Sequence, residues 1–135
     1  MPQPSAVISQ LRSEHYDDLR ELFRLYDCGT DPADYDPDWT LVAVVDDWAV
    51  GFLAAWVTKQ PYVYLDNFLV HPQYRGTGIA VTLGKAMLAV LKQKKVTSGL
   101  TIRAIVTAPD LVDPLKQYGF RIVSAAVAME KNANA

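Results

Sequence analysis

Residues His71 to Ala80 read HPQYRGTGIA: a proline, a basic side chain, and two glycines one residue apart. The preceding stretch is apolar, and an amphipathic pattern follows from about Thr77 to Lys94. Pro72 carries no N–H and restricts His71, so a strand should stop at Val70. Gly76 and Gly78 then expose N–H groups at the mouth of a helix. A helix N-terminus has unpaired donors and a partial positive charge, which suits an anion, and Arg75 adds a formal charge at the rim. A phosphate or pyrophosphate is the anion such a loop is built for. Two common phosphate loops fail on spacing. A Walker loop needs Ser or Thr after Gly-Lys, whereas Gly84-Lys85 is followed by Ala86, and the dinucleotide fingerprint needs a small residue where Val81 stands. The competing reading is a strand-to-helix turn whose glycines serve packing alone.

Other reactive side chains are few. Cys28 is the single cysteine. No His or acid pattern accompanies it, so it reads as a small packed residue rather than a nucleophile. His71 reads as a turn residue, and His15 falls in what should be the exposed first turn of a helix. No metal-ligand spacing appears.

The elements that must position the loop follow from periodicity. AVISQLR reads as a short strand. Ser13 can cap a helix with Glu14 in its first turn, and Leu19, Leu22, Phe23 and Tyr26 recur at helical spacing until Gly29 ends it. Pro32 and Pro37 break TDPADYDPDW into a loop. WTLVAVVDD and WAVGFLAAWVT pair as a hairpin through Asp46-Asp47, and YVYLDNFLV is the next strand. In the following helix Ile79, Leu83, Met87, Val90 and Leu91 form one apolar stripe, and Lys92, Lys94 and Lys95 gather at its C-terminal end. GLTIRAIVT is a strand, PDLVDPLKQY a short helix bent at Pro114, and FRIV and AVAMEK close the chain as strands. The order β-α-β-β-β-α-β-α-β-β specifies a mixed α/β sheet in one domain over residues 1–135, with a frayed tail at 132–135.

Half of the 135 residues are hydrophobic, enough for a packed core, and the formal net charge of -2 argues against a nucleic-acid partner. No apolar run is long enough to span a membrane, and no basic-then-apolar leader precedes the first strand. With one cysteine, the expectation is a cytoplasmic protein.

VHPQYRGTGIA resembles the acetyl-CoA-binding signature of the GNAT acetyltransferases, Gln/Arg-x-x-Gly-x-Gly/Ala, met by Gln73, Gly76 and Gly78. Tyr118-Gly119-Phe120 resembles the family's C-terminal motif, VAMEK resembles its last strand, and the element order matches its fold. The resemblance implies an N-acetyltransferase with acetyl-CoA as co-substrate and no metal. It implies that the backbone of Phe68, Leu69 and Val70 pairs with the pantetheine arm. Gln73 would begin the diphosphate loop, and the N–H groups of Arg75, Gly76, Gly78, Ile79 and Ala80 would hold the diphosphate. Side chains at the glycines would then collide with the cofactor, and Ala80 is suitably small.

Direct acetyl transfer needs a neutral amine, hence a base. Related polyamine acetyltransferases carry Glu in a Leu-Glu-Asp-Phe context; LDNF here puts Asp66 at that position, one methylene shorter and suited to act through water, with Asn67 replacing a second carboxylate. The alternative is that Asp66 bonds neighbouring backbone or a basic side chain. The sequence departs from the family at Leu115, where a Tyr that protonates the leaving thiolate is often found, and at Ala108, where an Asn is common. Tyr118 lies at a different helical angle.

The resemblance assigns the acceptor side to the segment after the first helix. Its Asp27, Asp31, Asp34, Asp36 and Asp38, with Tyr35 and Trp39, would suit a cationic acceptor such as a polyamine, an aminosugar or a lysine-bearing peptide. A solvated loop whose Asp residues cap turns is the competing reading. Acceptor contacts are expected from Asp34, Tyr35, Tyr64 and Asn67, with Trp56 and Tyr62 as further wall residues or simple sheet packing. Two functions are therefore expected to compete: transfer to a primary amine of a small cationic molecule, a lysine or an N-terminus, and a GNAT-fold module that binds CoA or a protein partner without turnover. A homodimer is a further expectation from the family.

Overall fold

The strands β1 (Val7–Gln10), β2 (Thr40–Val45), β3 (Trp48–Val57), β4 (Tyr62–Val70), β5 (Thr101–Ile105), β6 (Arg121–Ser124) and β7 (Ala128–Asn132) form one sheet in the order β1-β2-β3-β4-β5-β7-β6. The computed structural model describes residues 5–57, 62–94, 101–105, 121–124 and 128–132. β4 and β5 run parallel; the other neighbours are antiparallel. Helices α1 (Tyr16–Leu25) and α2 (Ile79–Gln93) cover opposite faces. The expected mixed α/β sheet is therefore present. The helix expected at PDLVDPLKQY lies outside the described residues. Asn132, expected in the frayed tail, instead pairs with Thr101.

β2 and β3 are apolar almost throughout because both of their faces are buried. Leu41, Ala43 and Val45 pack toward α2 with Ile79, Leu83, Met87 and Leu91, while Val42, Phe52, Ala54 and Leu69 pack toward α1 with Leu19, Leu22 and Phe23. Leu83, Met87 and Leu91 have no exposed surface; each such side chain contributes about 1.5–3 kcal/mol by leaving water. Gly51 lies in the interior of β3, where a strand glycine signals close approach. An added Cβ would stand 2.9 Å from Leu83 Cδ1, 3.0 Å from Ala43 Cβ and 3.3 Å from Ile79 Cγ2. The missing side chain lets the first turns of α2 settle onto the sheet.

β4 carries an extra residue relative to β3: Phe52 pairs with Leu69, but Ala54 pairs with Asp66. This bulge explains why Leu65 and Phe68, three apart, belong to the same core cluster. On its other side β4 pairs with β5 only from Tyr62 to Leu65. Among the described residues, no strand pairs with β4 there beyond Leu65.

The ends of α1 differ from expectation. A 3-10 turn over Ser13–His15 precedes it, and its capping residue is Arg12 rather than Ser13. The Arg12 N–H donates to His15 Nδ1 (3.1 Å), and the His15 N–H donates to Arg12 O (3.0 Å). His15 is only 7% exposed and so is not a solvent-facing first-turn residue. The helix stops at Asp27 (φ 55), two residues before Gly29, because Cys28 N–H donates to Phe23 O (2.9 Å) and Asp27 N–H to Arg24 O (3.2 Å). In the β2–β3 hairpin, Asp46 (φ 50) and Asp47 (φ 65) make the left-handed pair that a two-residue turn requires.

His15 makes the fold sensitive to acid. Burial, the largest influence, lowers its pKa from 6.5, with Arg12 acting in the same direction and Glu14 and Asp18 opposing. The unfolded chain therefore binds the proton more readily than the folded one. The stabilising contribution is complete above 6.5 and is lost as pH falls below it. Protonation of Nδ1 would also remove the acceptor for the Arg12 N–H. Acidification from about pH 7.5 to about pH 5.5 is expected to lower Tm by a few degrees, and His15→Gln, which keeps an acceptor without a titrating group, to reduce that drop. Equal drops measured by thermal melts of the two proteins would exclude His15 as the source.

Candidate functional site

Beyond Val70 the chain makes a short 3-10 turn, Pro72–Tyr74, and then the glycine loop. His71 begins the turn, its Nδ1 accepting from the Gln73 N–H (3.2 Å) and its own N–H donating to Val50 O (2.7 Å). Its ring lies 4.7 Å from that of Trp48 and 6.3 Å from that of Tyr74, so the turn is braced on the β2–β3 hairpin. His71 is a turn residue, as its place before Pro72 suggests.

Gly76 (φ 73) and Gly78 (φ 85) both adopt left-handed backbone, which only glycine takes without cost. A Cβ at either position would meet no described protein atom within 4 Å. Among the described residues, backbone angle and not crowding therefore demands these glycines, and the position a Cβ would take is open. Gly78 is the N-cap of α2 and supplies no side-chain cap. The first N–H groups of a helix have no intrahelical acceptor, so those of Ile79 and Ala80 are donors left at the head of α2. Thr77 Oγ1 donates to Tyr74 O (2.5 Å) and Thr82 Oγ1 to Gly78 O (3.0 Å), pinning the loop on both sides. The Arg75 N–H, expected to face the anion, turns back to Pro72 O (3.4 Å). The cationic Arg75 side chain stays at the surface beside the loop, donating from Nη2 to Tyr26 Oη (3.0 Å). Gln73 is also exposed.

Phe68, Leu69 and Val70 bury their side chains, at 1%, 0% and 3% exposure, which leaves only their backbone for a ligand. Strand alternation sorts that backbone. His71 N–H faces β3, so Leu69, two residues back, also turns its main-chain groups to β3, and Val70 turns its own away. Of the three expected to pair with a ligand, Leu69 is thus committed to the sheet. Asp66 lies opposite Ala54 beside the bulge, Tyr64 opposite Trp56, and Asn67 within the bulged stretch.

The acidic segment serves its own turns in two places. Asp31 accepts from the Ala33 N–H (2.9 Å) and Asp36 from the Asp38 N–H (2.9 Å). Asp31 also meets Arg20 Nε at 3.0 Å, and this hydrogen bond, followed by that from Ala33, holds its carboxyl below the usual range. Asp34 is exposed. Tyr35, expected at the acceptor surface, is 5% exposed and packs edge-on against Phe23 and Phe52, at 6.2 and 5.0 Å between centroids. Its hydroxyl meets Thr30 Oγ1 at 2.9 Å. Apolar burial has drawn that ring into the core and away from the surface. Cys28 is half-buried. Ala108, Leu115, Tyr118, Gly119 and Phe120 lie outside the described residues. An open depression along β1 is lined by Ile8, Gln10, Arg12, His15 and Asp47 among others, and no residue of β4 or the glycine loop borders it.

Sequence reasoning missed Gly51 and Tyr26. The glycine inside WAVGFLAAW was a usable signal for the first. Nothing local distinguishes Tyr26 from its apolar stripe.

Residues 7–110 match the family model described as "Acetyltransferase (GNAT) family". No curated protein matches the chain. Among solved structures, a GNAT-family acetyltransferase from Staphylococcus aureus Mu50 superposes with a TM-score of 0.74 at 12% identity, covering 96% of this chain and 99% of that one. Arabidopsis thaliana Naa50, in complex with the bisubstrate analogue CoA-Ac-MVNAL, gives 0.71 at 21% identity, with coverages of 94% and 98%. An aminoglycoside 6'-N-acetyltransferase complexed with coenzyme A gives 0.71 at 19%, with coverages of 94% and 97%. At these identities the likeness establishes the fold.

Proposed function

The chain belongs to the GNAT acetyltransferase family, and on that premise we propose that it transfers acetyl from acetyl-CoA directly to a primary amine, carried by a small cationic molecule, a lysine or a protein N-terminus. The observation that carries this reading is the left-handed pair Gly76 and Gly78 at the head of α2, with no described protein atom within 4 Å of where a Cβ would stand on either. That geometry fits a diphosphate: donors at a helix end, open space, and the Arg75 charge alongside. The N–H groups of Gly76, Gly78, Ile79 and Ala80 would hold it, with Gln73 at the start of the loop. The β4 edge past Leu65 would take the extended arm through the backbone of Phe68 and Val70. When bound, acetyl-CoA supplies an activated thioester. Asp66, on β4, would draw the proton from the acceptor amine through a water, and Asp34, Tyr64 and Asn67 would contact the acceptor. Peptide and aminoglycoside acceptors both occur among the structural neighbours named above, and the exposed Asp34 favours a cationic one.

A second reading, CoA binding without turnover, is favoured by Leu115 at the position where a thiolate-protonating Tyr is common. A CoA thiolate is a good leaving group, so its absence does not forbid transfer. No helix among the described residues is long and apolar enough to cross a membrane.

Acetyl-CoA is expected to raise Tm. At about 100 times its dissociation constant a ligand specific to the native state adds about 2.7 kcal/mol. Release of CoA thiol on addition of one member of an amine panel would then distinguish the enzyme from the binding module. An unchanged Tm at millimolar acetyl-CoA would remove the basis for both.

A further inference from the structure

Tyr26 stands at the C-terminal cap of α1, held there by the left-handed turn at Asp27. Its hydroxyl donates to the carbonyl of Val70 at 2.5 Å and accepts from Arg75 Nη2 at 3.0 Å. The Arg75 guanidinium carbon lies 5.7 Å from the centre of the Tyr26 ring. One hydroxyl thus joins the end of α1, the end of β4 and the glycine loop, and its single proton is committed to Val70.

The direction of the Val70 carbonyl follows from its own peptide. The His71 N–H points to Val50 O on β3. No peptide bond among the described residues is cis, and in a trans peptide the N–H and C=O point opposite ways. The Val70 carbonyl therefore points to the β5 side of β4, where the described β5 pairing has already ended at Leu65. That side is the edge assigned above to the extended arm of the cofactor.

We infer that Tyr26 ends the cofactor slot on β4 and positions Arg75 for the cofactor's diphosphate; this rests on the CoA reading above. An extended ligand running along β4 meets the Tyr26 hydroxyl where its next ladder donor would reach the Val70 carbonyl. It must leave the strand edge there and turn toward the glycine loop. At that turn the Arg75 charge is already held by the hydroxyl and set against the ring, so less side-chain freedom is lost when an anion arrives. Tyr26 is a positioning residue in this scheme, acting through Arg75.

The test compares CoA, which carries the diphosphate, with pantetheine, which does not, by calorimetry at low and high salt. The proteins are the wild type, Tyr26→Phe, Arg75→Gln and the double variant. Tyr26→Phe removes only the hydroxyl. It is expected to weaken CoA about five- to tenfold, the scale of a hydrogen bond to a charged group, to flatten the salt dependence, and to leave pantetheine binding no weaker. The double variant should lose no more CoA affinity than Arg75→Gln alone. Losses that add, an unchanged CoA affinity for Tyr26→Phe, or equal losses for CoA and pantetheine would each overturn the inference while the CoA reading stands. A wild type that binds no CoA would overturn the CoA reading, and this inference with it.

Discussion

Gly78→Val is expected to raise the dissociation constant for CoA by about tenfold or more in a protein that still folds. At φ 85 a β-branched residue is strained; for ordinary residues left-handed backbone costs about 1–2 kcal/mol. No described protein atom lies within 4 Å of the new Cβ, so the variant is not driven apart by a clash with the described protein. The loop can relieve the strain only by rotating its backbone, which turns the N–H groups at the head of α2 away from a common anion. In the proposed complex the added carbons would also stand where the diphosphate approaches. Calorimetric titration with CoA, beside a thermal melt to confirm folding, checks this. Wild-type affinity in a folded Gly78→Val protein would mean that the loop does not hold the cofactor. Gly51 makes a useful contrast, since a Cβ there meets Leu83 at 2.9 Å. Substitution at that glycine acts on the fold first and on any ligand only through α2.

If Asp66 is the base proposed above, Asp66→Asn is expected to lower turnover by at least about tenfold, because general-base contributions run to about 10²–10⁴-fold. Amide replaces carboxylate at nearly constant shape, so CoA affinity should be kept while the proton sink is lost. The proposed acceptor, a primary amine, is protonated near neutrality, and the deficit should be largest there. It should shrink as pH approaches the amine's own pKa, since the neutral amine then arrives without help. The measurement is a pH–rate profile of thiol release for both proteins with an accepted amine. Equal profiles would leave Asp66 a structural residue and make proximity of amine and thioester the main catalytic device. Its register beside the β4 bulge, opposite Ala54, puts Asp66 where the β3–β4 pairing is locally interrupted.

Most of the element order was legible because it is written in short-range patterns. Short apolar runs rich in β-branched and aromatic residues mark β2, β3 and β4, the stripe Ile79, Leu83, Met87 and Leu91 marks α2, and Asp46-Asp47 marks the hairpin. Boundaries were less legible. Gly29 looks like the natural end of α1, but Asp27 tolerates left-handed backbone well enough to end it earlier. Ser13 looks like the cap, yet the His15 ring supplies the acceptor from within the turn.

The glycine loop could be located from the sequence alone, since a strand stop, two glycines and an apolar helical period lie within one short stretch. Its backbone angles follow from residue type, because few other residues take φ 73 and φ 85. Tertiary structure decided whatever depends on residues far apart in the chain. Tyr35 and His15 carry polar atoms and read as surface residues, but Phe23 and Phe52 enclose the Tyr35 ring, and His15 is buried at the start of the first helical segment. Leu69 and Val70 are alike in sequence. Pairing with β3 turns the backbone of one into the sheet and of the other toward the β5 side of β4. The tie of Tyr26 to Val70 and Arg75 spans 44 and 49 residues, and no local periodicity encodes a contact of that separation. Only the closing of α1 over one face of the sheet brings that hydroxyl to the end of β4, because burial of its apolar stripe, and not any property of Tyr26, sets where the helix comes to rest.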